Sequence, residues 1–145
     1  MWGNLDYLLV DLPPGTSDAT LTIMQSLPVK QIVMVTTPQG LATLIVRKAV
    51  HMAQSVGVHV AGVVENMVYF ICPDTGKRHF IFGPSHAEEV AATAGAPLLA
   101  QLPIDPQIAA LCDAGKIEEV NLSEISELLK AFLRTMPDLT EKKND

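Results

Sequence analysis

The sequence predicts an α/β fold, a parallel sheet flanked by helices in three layers. Two observations carry this expectation. Continuous apolar runs, too short for a typical helix and too unbroken for a half-exposed strand, recur along the chain as LDYLLVDL, QIVMVTT and VHVAGVVEN. Between them lie segments with apolar residues at helical spacing, so strand and helix alternate in the order that favours parallel strands. A length of 145 residues suits one domain. A content of 48% hydrophobic and 18% charged residues argues against general disorder.

Each element has a local reason. LDYLLVDL, residues 5–12, reads as a strand buried on both faces, and Asp18 is placed to cap a helix over 19–27. QIVMVTT supplies the next strand. The helix that follows, 41–55, has Leu41, Leu44, Ile45, Ala49 and Met52 on one face and Gly57 as its stop. VHVAGVVEN is a third strand, and YFICPDTGKRHF, residues 69–80, reads as a small ribbon with a Cys-Pro turn at its tip. Ser85 with Glu88 forms a capping-box pattern for a helix reaching Ala94, before Gly95. PLLAQLP is a short fourth strand, and Asp105-Pro106 joins an N-cap to a favourable first helical residue. Asn121 with Glu124 repeats the capping pattern, and Leu122, Ile125, Leu128, Leu129 and Phe132 form one apolar face. The tail, 137–145, is expected to be solvated and flexible after a domain spanning 1–136.

The formal net charge of -6, with no face rich in Lys and Arg, gives no nucleic-acid footprint. No apolar run approaches the roughly 20 residues of a spanning helix, and MWGNLDY lacks a signal-peptide pattern. The expected compartment is the cytoplasm. Cys72 and Cys112 read as thiols rather than a disulfide, with Cys112 packed on a helix. His51 and His59 suit a helix surface and a strand edge, and the four histidines show no close ligand spacing with one another.

VDLPPGTSD, residues 10–18, is the strongest chemical motif. A carboxylate at the end of a parallel strand stands where α/β proteins bind ligands, and Asp11 can hold Mg²⁺ through water. The backbone of Gly15 can approach a phosphate closely. A stiff strand-to-helix turn accounts for the same residues, and both readings stand. Neither Gly76-Lys77 nor Gly115-Lys116 lies in a phosphate-cradling P-loop pattern, and no G-x-G-x-x-G occurs. The chain by itself is therefore expected to bind a nucleoside triphosphate weakly.

The segments WGNLDYLLVDLPPGTSDATLT, TTPQ, VVENMVYFICPDTGKRHFIFGPSHAEEVA and PLLAQLPIDPQI, in this order, resemble the C-terminal portion of the Mrp family of MinD-like P-loop ATPases, which are iron-sulfur cluster carriers or assembly scaffolds. Complete members begin with a Gly-rich P-loop well before the segment matching Trp2, so the resemblance implies a fragment or one part of a split gene. It further implies ATP and Mg²⁺ as cofactors of the complete protein, a homodimer joined near a ribbon at 67–82, and iron-sulfur recipient proteins as partners. By position, Asp11 matches the residue that organises Mg²⁺ and the attacking water, and Gly15 the glycine that senses the γ-phosphate. Asn66 matches the residue that reads the adenine edge, and Pro103 lies in the loop bordering the base. An Asn at a strand end is also an ordinary turn former.

The ribbon departs from the family pattern. Members carry Cys-x-x-Cys there, so that two protomers supply four Cys to a four-iron, four-sulfur cluster. Here Cys72 is followed by Thr75 at the second position, and a hydroxyl is a poor substitute for a soft thiolate. A dimer then offers two Cys rather than four. Two further readings remain open: a zinc site from Cys72, Asp74, His79 and His86, and an apolar contact surface from Tyr69, Phe70, Ile71, Phe80, Ile81 and Phe82. The last favours a non-enzymatic dimerisation or partner-binding module.

Overall fold

The structure, a computed structural model, describes residues 3–136. The expected tail at 137–145 lies outside them. Helix α1 (Asp18–Ser26) is followed by β1 (Gln31–Thr36), α2 (Gly40–Ser55) and β2 (His59–Glu65). The ribbon strands β3 (Phe70–Ile71) and β4 (Arg78–His79) lead to α3 (Ala87–Ala94) and β5 (Leu98–Gln101). Helix α4 (Pro106–Asp113), a 3₁₀ turn at Ile117–Glu119 and α5 (Leu122–Thr135) complete the order.

Strands β1, β2 and β5 form a parallel sheet in that order, with β2 in the middle. Every residue of β2 after His59 is buried, as expected of a central strand covered on both faces. On one face Met24 of α1, Val50 and Ala53 of α2, and Val90 and Ala91 of α3 join Met34, Val60 and Val63 in a single core. On the other face, Val35 and Val64 look towards Leu128, Leu129 and Phe132 of α5. The three-layer α/β expectation therefore holds.

The first expected strand does not form. Residues 5–10 join no sheet among the described residues, and Leu5, Tyr7, Leu8, Leu9 and Val10 are all exposed, Leu9 at 74%. The run has the pattern of a strand covered on both faces, but it joins no sheet of the described residues and its large apolar side chains lie exposed. Leu12, where the run ends, does pack against the core.

Three local expectations also change. Ser17, not Asp18, caps α1 by accepting from the backbone N–H of Thr20 at 3.2 Å. Helix α2 buries Thr43, Val50 and Ala53 and packs Ala49 and Met52 against the core as expected, but it leaves Leu41, Leu44 and Ile45 exposed. Helix α3 begins at Ala87, one residue beyond a Ser85 cap, and Ser85 is committed elsewhere. By contrast, Asp105 caps α4 as expected, accepting from Gln107 N–H at 2.8 Å with Pro106 opening the helix. The side chains of Leu122, Glu124 and Ile125 lie outside the described ones, while Leu128 and Phe132 are half-buried as the apolar spacing requires.

Glycine has a packing reason at one point of the sheet. The register of β2 against β5 shifts between Val63 and Val64, so Leu99 has no opposite partner. Its side chain lies over Gly62, where an added Cβ would stand 2.4 Å from Leu99 Cγ. Gly62→Ala is expected to destabilise the fold by about 1–3 kcal/mol through overpacking. Urea unfolding checks this, and Leu99→Ala in the same chain should recover part of the loss.

Candidate functional site

All three parallel strands end on the same side of the molecule, where open α/β sheets collect ligands. The turn after β2 is tied to both neighbours there. Asn66 N–H donates to Thr36 O at 2.8 Å, and Leu102 N–H donates to Glu65 O at 2.8 Å. Beyond β2 the chain keeps its parallel course: Val68 N–H donates to Leu102 O at 2.9 Å, Ile104 N–H to Tyr69 O at 2.7 Å, and Phe70 bridges Ile104.

This seam encloses a cavity of about 320 Å³, lined by Asn66, Met67, Leu102, Pro103, Ile104, Asp105, Ile108 and Ala109. Asn66 and Pro103, 37 residues apart by number, therefore share one pocket. The Asn66 Oδ1 accepts from Met67 N–H at 2.9 Å, which leaves its amide donors and one acceptor lone pair for another group. That contact is also a turn contact, so both sequence readings of Asn66 describe real features of the residue. Met67 is the one described non-glycine residue with positive φ, at 59°. An L side chain there costs about 1–2 kcal/mol.

The motif at 10–18 is arranged differently. Asp11 and Pro14 are exposed, and Gly15 has φ 78°, where an L side chain is strained. Thr20 Oγ1 donates to Pro13 O at 3.4 Å, and Gly15 rests against Ile45 of α2, its virtual Cβ 3.4 Å from Ile45 Cγ2. The loop is thus held beside the first turns of α2, with the Asp11 carboxylate open to solvent.

At the ribbon tip Cys72 N–H donates to Lys77 O at 2.9 Å and Gly76 N–H returns to Cys72 O at 2.8 Å, closing a tight turn. The Thr75 hydroxyl, followed by the backbone N–H groups of Asp74 and Thr75, donates to the sulfur and holds the Cys72 thiol below the ordinary cysteine range, with partial burial acting weakly the other way. Thr75 stands where the resemblance implies a second Cys, and its hydroxyl acts on the first. Among the described residues no three His, Cys, Asp or Glu side chains assemble as a metal-binding group, so Cys72, Asp74, His79 and His86 do not converge as the zinc reading requires. Cys112 is exposed on α4 rather than packed, because that helix buries none of its residues. Ile71, Phe80, Ile81 and Phe82 are exposed, while Tyr69 meets Phe80 edge-on at 6.3 Å and carries Arg78 over its ring at 4.5 Å. Those ring contacts stiffen the ribbon without covering its apolar face.

Sequence reasoning missed Glu65, Ser85 and Gln101. Glu65 is fully buried, and its carboxylate accepts from the Ser85 hydroxyl, from His86 N–H at 3.1 Å and from Gln101 Nε2 at 2.9 Å. A carboxylate inside the apolar run VHVAGVVEN was the available signal.

Comparison with known proteins now decides the family. The family model "ParA: NUBPL iron-transfer P-loop NTPase" matches residues 1–138. The chain belongs to this family. The iron-sulfur cluster carrier protein of Aquifex aeolicus is 45% identical over 132 residues, covering 91% of this chain and 36% of that protein. The carrier of Pyrococcus horikoshii is 39% identical over 141 residues, covering 97% of this chain and 47% of its own length. A solved nucleotide-binding protein from Archaeoglobus fulgidus in complex with ADP superposes with a TM-score of 0.71 at 41% identity, over 97% of this chain and 52% of that one. The chain thus spans about half or less of the length of these family relatives.

Because a lowered thiol pKa means more thiolate at a given pH, the alkylation rate of Cys72 in a Cys112→Ser background should reach half its maximum at lower pH than an ordinary cysteine. Thr75→Val removes the hydroxyl donor and should move that midpoint upward, slowing alkylation at pH 7. A midpoint unchanged by Thr75→Val would show that the hydroxyl does not act on the sulfur.

Proposed function

We propose that the chain is the base-reading and ribbon-bearing part of an ATP-dependent iron-sulfur cluster carrier or assembly protein, acting in the cytoplasm as a homodimer joined near the ribbon. One observation carries the reading: the wall of the Asn66–Pro103 pocket is hydrogen-bonded directly into the first strand of the ribbon that presents Cys72. A ligand in the pocket and a cargo at the ribbon then share one continuous piece of backbone. The carrier relatives and the ADP-bound structural relative support both halves of it.

The pocket suits a purine. Pro103, Ile104 and Ile108 offer apolar surface to a flat ring, and the Asn66 amide offers donor and acceptor to its edge. MgATP bound in the complete protein supplies phosphoryl transfer to water. Within this chain Asp11 would help to hold Mg²⁺ through water, and the Gly15 backbone would face the terminal phosphate. The phosphates have no P-loop here, which keeps nucleotide affinity low.

For the cargo, Cys72 supplies one thiolate per chain, its pKa lowered chiefly by the Thr75 hydroxyl. Iron-sulfur recipient proteins are the partners on this reading. A second reading, a module that dimerises or binds a partner without a cluster, draws on Thr75 in place of a thiolate and on the exposed Ile71, Phe80, Ile81 and Phe82.

Anaerobic reconstitution followed by iron and acid-labile sulfide analysis separates the two. The carrier reading expects iron and sulfide to be retained and to fall with Cys72→Ser while the circular dichroism spectrum is unchanged. Equal retention in both proteins would remove Cys72 from the ligand set, and no retention in either would leave the module. For the nucleotide, ADP titrations followed by NMR should show binding weaker than micromolar. Asn66→Ala should weaken it by a further three- to tenfold, roughly the worth of one or two hydrogen bonds.

A further inference from the structure

We infer that Glu65 is a positioning residue for the base pocket, holding strand end, pocket wall and ribbon root in one register. This deepens the nucleotide reading above and rests on it for the identity of the ligand. Glu65 itself is not among the residues that line the pocket, so it acts through them.

The inference begins with burial. A carboxylate with no exposed surface is costly unless every lone pair direction finds a donor. Here three donors converge from two separate elements. Ser85 and His86 N–H come from the segment that closes the ribbon and opens α3, and Gln101 comes from the last residue of β5. Gln101 Nε2 also reaches Ser85 Oγ at 2.8 Å, so the group is closed on itself.

The location gives that closure its effect. Gln101 precedes Leu102 and Pro103, the pocket wall, and Glu65 precedes Asn66 and the left-handed Met67. The segments 65–70 and 101–104 are then stitched by Leu102 N–H to Glu65 O, Val68 N–H to Leu102 O and Ile104 N–H to Tyr69 O. Backbone and side-chain contacts of Glu65 therefore both pin the same two segments. The strained Met67 turn is held between them, and a strained turn persists only where its surroundings over-determine it.

A carboxamide replaces this carboxylate only with rearrangement. Gln at 65 would turn its NH₂ either towards His86 N–H, which cannot accept, or towards Ser85 and Gln101, whose hydroxyl and amide must then reverse to present oxygen. Exchanging the two residues, Glu65→Gln with Gln101→Glu, keeps one carboxylate in the group. The new amide then donates to residue 101 and accepts from His86 N–H, while Ser85 donates to the relocated carboxylate.

The test is amide hydrogen exchange on the 145-residue chain, read by NMR beside an ADP titration. Glu65→Gln should speed exchange at Val68, Leu102 and Ile104 together, by roughly tenfold or more, with Leu21 in α1 unchanged. The exchanged pair should restore that protection, and Ser85→Ala, a milder change, should show the same pattern at smaller amplitude. ADP affinity should fall in Glu65→Gln and return in the exchanged pair. Loss of protection confined to His86 and Ala87, with ADP affinity intact, would overturn the inference and leave the base pocket standing. Joint opening of the three amides in a chain whose resonances ADP does not shift would keep the positioning role within the seam and overturn the nucleotide reading.

Discussion

The structure depends on the parallel pairing of β2 with both of its neighbours. Among the described residues only this strand is hydrogen-bonded on two edges and covered on two faces, and the core residues of α1, α2 and α3 gather against it. Its apolar residues account for the solvent-driven part of the fold. Its C-terminal end sets the chemistry, because Glu65 and Asn66 follow without a break and the ribbon begins only a few residues later. One strand thus connects a packed core, a ligand-sized cavity and a thiol at a ribbon tip.

Much of this was legible in the sequence. β1, β2 and β5 could be read from unbroken apolar runs, and α4 from Asp105-Pro106, because those signals are local and their tertiary setting agrees with them. The run at 5–12 shows where such reading stops. Alternation and continuity report how many faces a segment is built to bury, but they say nothing about whether a cover is present. Ser85 shows a second limit: its spacing to Glu88 suggests a cap, yet a buried carboxylate 20 residues earlier takes its hydroxyl. Pairing of Asn66 with Pro103 became an expectation only through family resemblance, since nothing in spacing brings 66 beside 103. Met67's left-handed backbone has no sequence signal at all, for Met is not a residue that favours it.

The ribbon shows how one substitution can change a residue's task without removing its chemistry. A Thr at position 75 provides no soft ligand, but a hydroxyl donor suits the sulfur that remains. The same turn that the resemblance would give two thiolates presents one, its pKa lowered chiefly by the Thr75 hydroxyl. Family membership and ribbon chemistry therefore carry different information about this chain: the first rests on the whole fold, the second on two side chains.

The uncovered run at Leu5–Val10 has a consequence for the chain's life in solution. Five large apolar side chains stand exposed there, and β1 is hydrogen-bonded on one edge only among the described residues. An exposed apolar segment is a surface on which further copies can gather, and an open strand edge adds to that risk. Its low local charge, Asp6 alone within the run, offers little gatekeeping against that growth.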